Sequence, residues 1–252
     1  MIFFGTYKLL DETILHQSLQ YAYHVGYRMF DCAELYKNQL SIGNFFKKNN
    51  IPRESYWLTS KLSFRTTPKG EVAIRCALDK TLSDLSTPYV DLMLIHCPTK
   101  NDVLAWKILT EYKEKGFFKN IGISNYNSEK LLEFINSIDN PNDIYCNQIE
   151  FNPFLNRVNL IELCKSKNIK LIAYGNLYKS NETIERMATR LNQTKEQLLL
   201  KYSLQSNFDI IVSATNKDYI ETDFNLDFVI DVHDMKILDS LNENYSKYIR
   251  YL

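Results

Sequence analysis

The stretch that decides the fold runs from Glu71 to Leu104. It opens with Glu71-Val-Ala-Ile-Arg-Cys-Ala-Leu-Asp-Lys-Thr-Leu-Ser-Asp-Leu85 and continues through Val90-Asp-Leu-Met-Leu-Ile95 to His96-Cys-Pro98. In the first part Val72, Ile74, Ala77, Leu78, Leu82 and Leu85 recur at helical spacing. The second part is a short apolar run interrupted only by Asp91, the pattern of a strand covered on both faces. Beyond Pro98, Asp102 stands before Val103 and Leu104 as a helix start. Helix, buried strand, short loop and helix are the repeating parts of a parallel α/β sheet.

The same alternation extends in both directions. Short apolar runs stand at Ile2–Tyr7, Arg28–Asp31, Tyr56–Ser60, Asn120–Ile123, Ile144–Ile149, Lys170–Tyr174 and Phe208–Val212. Thr13–Val25, Leu160–Lys167 and Thr194–Leu204 are amphipathic at helical spacing, and Ser128 and Glu129 mark another helix start before Leu131. Eight strand–helix units joined by right-handed crossovers predict an α/β fold, a (β/α)8 TIM barrel. A doubly wound open sheet would show a G-x-G-x-x-G turn after its first strand, and the chain contains none. No Pro/Gly/Ser-rich linker divides the chain, so residues 1–252 are expected to form one domain.

Composition narrows the function. Among 252 residues, 45% are hydrophobic and 13% aromatic, enough for a sizeable core. Thirty basic residues balance 30 acidic ones, which argues against nucleic acid or an anionic membrane as a partner. No apolar run reaches transmembrane length, and Met1-Ile-Phe-Phe-Gly5 lacks the basic start of a secretory signal. Cys32, Cys76, Cys97, Cys146 and Cys164 form no C-x-x-C pair, as expected of a reduced, cytoplasmic chain without a disulfide framework. His16, His24, His96 and His233 show neither H-x-H nor H-E-x-x-H spacing, so no metal site is expected.

In a barrel of this kind the chemistry gathers at the C-terminal ends of the strands. Asp31 and then Tyr36 follow the second run, Lys61 the third and His96 the fourth. Ser124 and Asn125 follow the fifth, Gln148 and Glu150 close the sixth, and Tyr174 ends the seventh. One polar strand end is usually a loop cap or a solvated group. Asp, Tyr, Lys and His on one rim are costly to bury unless they satisfy one another. A Lys beside a Tyr hydroxyl favours the phenolate and is expected to lower a pKa that starts near ~10, suiting the Tyr to general acid catalysis.

These residues fall in motifs that resemble the aldo-keto reductases along nearly the whole chain. Gly5-Thr6-Tyr7 resembles that family's G-T-[WY] opening, and Arg28-Met-Phe-Asp31-Cys-Ala-Glu-Leu-Tyr36-Lys-Asn38 resembles R-x-[IF]-D-T-A-x-x-Y-x-N-E. Thr59-Ser-Lys61-Leu62, Asp91-Leu-Met-Leu-Ile-His96-Cys-Pro98, Gly122-Ile-Ser124-Asn125-Tyr126 and Asn147-Gln148-Ile-Glu150-Phe-Asn-Pro153 resemble four further signatures in order. The resemblance implies an NAD(P)H-dependent enzyme that reduces an aldehyde or ketone, a small-molecule carbonyl substrate. Tyr36 would be the proton donor, tuned by Lys61 and Asp31, and His96 would orient the carbonyl. Ser124, Asn125 and Gln148 would hold the nicotinamide carboxamide and Tyr174 would stack on its ring. Gly5, Thr6, Tyr7 and Leu177 would also contact the cofactor, expected to be NADP(H) with NAD(H) not excluded.

The chain departs from that pattern around the substrate and the phosphates. Cys97 stands where a pocket Trp is usual, and its small side chain predicts a shallow, open substrate site. The loop after the fourth strand shrinks to Thr99–Val103, Gly175-Asn-Leu-Tyr-Lys179 replaces S-P-L-G, and the C-terminal extension is short. Ser213 and Tyr219 occupy the positions of the Lys and Arg that grip the 2′-phosphate, leaving Lys217 as the nearby cation. Thr222 and Asp223 replace the Glu-Asn pair that meets the adenine. Tyr245, Tyr248 and Tyr251 are candidates to re-line the mouth. These losses leave a second reading, a nucleotide-binding barrel with weak or no catalysis that serves as a redox sensor or scaffold.

Overall fold

The computed structural model describes residues 1–247. Eight strands, β1 (Ile2–Gly5), β2 (Met29–Asp31), β3 (Trp57–Leu62), β4 (Val90–Ile95), β5 (Phe118–Ser124), β6 (Ile144–Glu150), β7 (Lys170–Tyr174) and β8 (Asp209–Val212), pair in chain order and close into a barrel. Every pairing is parallel, and β8 returns to β1 with Ile2 opposite Ile210 and Phe4 opposite Val212. Helices α1 (Glu12–Val25), α2 (Gln39–Lys48), α3 (Glu71–Asp84), α4 (Asp102–Glu114), α5 (Ser128–Ser137) and α6 (Val158–Ser166) occupy the crossovers. The last crossover carries two, α7 (Glu182–Arg190) and α8 (Lys195–Gln205), while α9 (Lys217–Phe224) and α10 (Val232–Asp239) follow β8.

Local chemistry sets the helix ends. The Asp11 carboxylate accepts the Ile14 N–H at 2.9 Å to start α1, and Gly26, at φ 126°, ends it. Thr194 and Gln197 form a reciprocal capping box on α8. Strand residues bury on both sides, as the continuous apolar runs predict. Phe3, Leu92, Leu94, Cys146 and Ile172 fill the barrel interior, while Phe4, Phe30, Leu58, Met93, Ile95 and Ile123 face the helices. Gly122 permits a tight interior: a Cβ there would lie 2.8 Å from the Cys146 carbonyl oxygen and 2.9 Å from Leu94. Between β5 and β6 the register shifts, from Ile121 opposite Ile144 to Ile123 opposite Asn147, which sets Ser124 against Gln148.

The structure adds elements that hydrophobic periodicity does not mark. Helix α2 carries Gly43 in its middle because its backbone abuts the end of α3, where a Cβ would lie 2.3 Å from the Asp84 carbonyl oxygen. Helix α7 buries only Ile184, Met187 and Ala188. The loop from β4 to α4 is short, and the described residues beyond α10, 240–247, form no helix or strand. Among the described residues no helix is long and apolar enough to cross a membrane.

Candidate active site

The C-terminal ends of the strands surround a cavity of about 320 Å³. Asp31 ends β2, and a single 3-10 turn, Glu34–Tyr36, brings Tyr36 back over the barrel mouth. Lys61 lies one residue before the end of β3, almost fully buried, and its ammonium forms an ion pair with the buried Asp31 carboxylate. The same ammonium donates to the Cys32 carbonyl at 3.0 Å and to the Tyr36 hydroxyl at 3.3 Å. His96 follows β4 directly, with its ring edge-on to that of Tyr36 at 5.8 Å between centroids. The four rim residues singled out in the sequence are thus brought together, Lys61 lying beneath the cavity wall and the other three lining it.

A second network runs along the neighbouring strand ends. Gln148 Nε2 donates to Asp31 Oδ2 at 2.9 Å, and the Ser124 hydroxyl donates to the Gln148 carbonyl at 2.8 Å. Asn125, held at φ 65°, donates to the His96 carbonyl at 2.9 Å and approaches the Cys97 sulfur at 3.5 Å. The Tyr174 hydroxyl donates to Asn125 Oδ1 at 2.5 Å. Gly5, Tyr7, Leu177 and Ser213 also line the cavity. Thr6 stands behind it, its hydroxyl donating to the Asp31 carbonyl at 3.0 Å while its own carbonyl accepts from Asn38 at 2.8 Å.

The electrostatics correct one expectation. Lys61 does not lower the Tyr36 phenol: burial, reinforced by the Asp31 charge, holds it well above 10. The ammonium is already neutralised by Asp31, so its pull on the phenol is weak in the resting site. Burial, helped by the Lys61 charge, lowers His96 to about 3, so the ring is neutral at ordinary pH. Burial also pushes the Cys97 thiol up to about 12, which leaves it a small uncharged wall residue.

Other expected residues lie away from the cavity. The Lys217 ammonium sits 5.4 Å from the Tyr21 ring centroid on α1, and Tyr219 is 64% exposed to solvent. Thr222 donates back to the Asp218 carbonyl at 2.6 Å, and Asp223 is buried. Tyr245 stacks on Tyr178, a wall residue, with centroids 5.9 Å apart; Tyr248 and Tyr251 lie outside the described residues. The cavity also takes in Leu35, Phe64, Asn176, Tyr178 and Lys247, none of which the sequence reading placed there. Leu35 and Phe64 fall within three residues of Tyr36 and Lys61, so reading the first loop residues after each strand would have found them. Lys247 reaches the rim because Glu150 accepts its backbone N–H at 3.1 Å and the Ser246 hydroxyl at 2.5 Å.

Comparison with known proteins agrees with this geometry. The Aldo/keto reductase family model matches residues 1–243. The chain is 30% identical to methylglyoxal reductase DkgB of Escherichia coli O157:H7 over 250 residues, covering 95% of this chain and 92% of that protein. It is also 30% identical to prostaglandin F synthase 1 of Bos taurus over 288 residues, covering 97% and 88%. The crystal structure of an aldo-keto reductase enzyme from a Medee basin deep-sea metagenome library superposes with a TM-score of 0.92 at 28% identity, covering 98% of this chain and 93% of that one. Nothing in these comparisons favours the sensor or scaffold reading. The chain belongs to the aldo/keto reductase family, NAD(P)H-dependent oxidoreductases that act on carbonyl compounds.

Proposed function

We propose that Tyr36 is the proton donor for reduction of an aldehyde or ketone, with Asp31, Lys61 and His96 completing the catalytic set. The observation that carries this reading is the buried chain from Asp31 through Lys61 to the Tyr36 hydroxyl, 3.3 Å from Nζ, at the edge of a cavity shared with His96. The wall suits a nicotinamide nucleotide. Ser124, Asn125 and Gln148 offer hydroxyl and amide groups, the donors and acceptors that a carboxamide requires. Asn176 keeps Oδ1 buried without a hydrogen-bond partner, an acceptor for a nucleotide hydroxyl. Gly5, Tyr7, Tyr174, Leu177 and Ser213 complete the proposed contacts. When bound, the cofactor supplies the hydride.

The protein's part is orientation and proton delivery. The His96 Nδ1 atom is buried without a partner, so the ring N–H belongs on Nε2, where it can hydrogen-bond a carbonyl oxygen and orient it without giving up its proton. A neutral His96 is no proton donor, which leaves that task to the phenol. Because Tyr36 stays protonated, it is always loaded for reduction. As the carbonyl oxygen becomes an alkoxide it takes the phenol proton, and the resulting phenolate faces the Lys61 ammonium. The cation acts there, on the product of proton transfer, rather than on the resting pKa. Tyr36→Phe is expected to lower kcat by about 10²- to 10⁴-fold while leaving nucleotide affinity near normal. Full turnover by Tyr36→Phe on every substrate that the wild type accepts would overturn the assignment.

The finer reading is a cytoplasmic, single-domain enzyme for a small-molecule carbonyl compound. Its cofactor is NADP(H), discriminated from NAD(H) by less than about a hundredfold, or ~2.7 kcal/mol. What supports weak discrimination is Tyr219, exposed at the position where the family carries a bidentate Arg. The ratio of kcat/KM for NADPH and NADH with one saturating substrate tests it, and a ratio of about a thousand or more would sink it. All five cysteines are free thiols, in keeping with a reducing compartment.

A further inference from the structure

We infer that Glu34 is a positioning residue for Tyr36, an inference that rests on Tyr36 being the proton donor. The turn Glu34–Tyr36 holds itself with two backbone bonds, Tyr36 N–H to the Ala33 carbonyl at 3.0 Å and Lys37 N–H to the Glu34 carbonyl at 3.3 Å, and no side chain caps it. At its end Lys37 lies at φ 60°, a conformation that costs energy for a side chain with a Cβ. Glu34 supplies the outside anchor. One carboxylate oxygen accepts the Ser63 N–H at 2.8 Å and the other accepts the Thr66 hydroxyl at 2.5 Å.

The anchor point is rigid. Ser63 directly follows β3, and its carbonyl accepts the N–H groups of Thr66 at 2.9 Å and Thr67 at 3.1 Å, together with the Thr67 hydroxyl at 3.1 Å. Asn101, at the start of α4, in turn donates to the Thr67 carbonyl at 3.2 Å. Phe64 projects from this loop into the cavity, beside the His96 ring at 6.3 Å. Glu34 therefore fastens the turn bearing Leu35 and Tyr36 to the loop bearing Phe64, so that the donor hydroxyl and one cavity wall keep a fixed spacing. Lys61 governs the charge next to the Tyr36 hydroxyl, whereas Glu34 governs where that hydroxyl is.

The test is a double-mutant cycle of Glu34→Ala and Tyr36→Phe, read in single-turnover reduction, with thermal melting of each apo protein alongside. Glu34→Ala is expected to slow hydride transfer by about 10- to 100-fold, the scale of a displacement near 1 Å, with nucleotide affinity unchanged. In the Tyr36→Phe background the same change should slow it by less than about threefold, because there is no longer a donor to misplace. Glu34→Gln, which keeps one acceptor for the Ser63 N–H, should recover most of the loss. Thr66→Val, which leaves the carboxylate in place, should give a smaller loss in the same direction. Equal losses in both backgrounds would make Glu34 a general structural residue and overturn the inference, as would unchanged turnover in Glu34→Ala. Failure of the donor assignment shows separately, as full activity in Tyr36→Phe alone.

Discussion

Replacing Lys61 by Met separates what the buried ion pair does for the fold from what it does for the chemistry. Lys61 is 1% exposed and Asp31 2%, so the substitution strands a carboxylate inside the barrel mouth. Gln148 Nε2 still donates to it at 2.9 Å, which is too little to replace a cation. Breaking a buried pair from one side costs about 3–5 kcal/mol, and for a domain of this size each kcal/mol lowers Tm by roughly 2–4 °C. Lys61→Met should therefore melt roughly 6–20 °C lower, read by circular dichroism on the apo protein at pH 7. The double variant Asp31→Asn/Lys61→Met leaves no lone charge and should regain all but about 2 kcal/mol. Turnover should stay low in both by about 10²-fold or more, because the phenolate formed at Tyr36 then faces no ammonium. Single and double variants of equal stability would refute the reasoning, and so would a double variant with wild-type kcat.

A neutral His96 makes kcat/KM for reduction free of any ionisation near 6.5, and an acid limb at that pH that vanishes in His96→Gln would contradict the proposed role. The same ring contributes stability above its unfolded pKa of about 6.5, lost as pH falls toward 3, so His96→Gln should flatten the decline of Tm across that window. Asp223, lifted by burial to about 6, acts with the opposite sign: it loses stability as pH rises from about 4 through 6, and Asp223→Asn should melt higher than wild type at pH 7 but not at pH 4. Gly43→Ala should cost about 1–3 kcal/mol, since the new methyl meets the Asp84 carbonyl at 2.3 Å; kcat should not change, and an unaltered Tm would mean that α2 and α3 separate freely.

How far the fold and the site were legible follows from which forces leave a local mark. Strands such as Val90–Ile95 and Lys170–Tyr174 are read with the right limits because burial on both faces demands a nearly continuous apolar run, broken only by Asp91 in the first and by Lys170 at the start of the second. Helix α2 is missed because its decisive feature, Gly43 against the α3 backbone, is a tertiary contact that reads in isolation as a helix breaker. Asp31, Tyr36, Lys61 and His96, the residues of the proposed catalytic set, stand out because four ionisable or polar side chains near strand ends demand one another, and the structure brings them together. Phe64 and Leu35 carry no such demand, and only their place in the first loop residues after a strand marks them. The Tyr36 phenol lies above rather than below its ordinary value for a related reason. Spacing shows that a cation is near the phenol but not that Asp31 already neutralises it.

The two ends of the proposed nucleotide site differ in the same way. At the nicotinamide end each polar group is fixed by another strand end, Ser124 by Gln148, Gln148 by Asp31 and Asn125 by His96, so residue type and position determine geometry. At the far end the cation that the sequence points to is Lys217, whose long side chain is solvent-exposed. Its sequence neighbour Asp218 says little about its placement, because the ammonium instead lies over the ring of Tyr21, supplied by a helix from the opposite end of the chain. An exposed cation–π contact is worth only about 0.5–1 kcal/mol. A charge-assisted bond to a phosphate, at about 1.5–3 kcal/mol, outbids it. The Tyr21 contact thus sets where Lys217 rests without deciding whether it can serve a 2′-phosphate. Under the cofactor reading proposed above, a preference for NADP(H) would be weak because Tyr219 stands in place of an Arg fork, and a single ammonium cannot reproduce a bidentate grip.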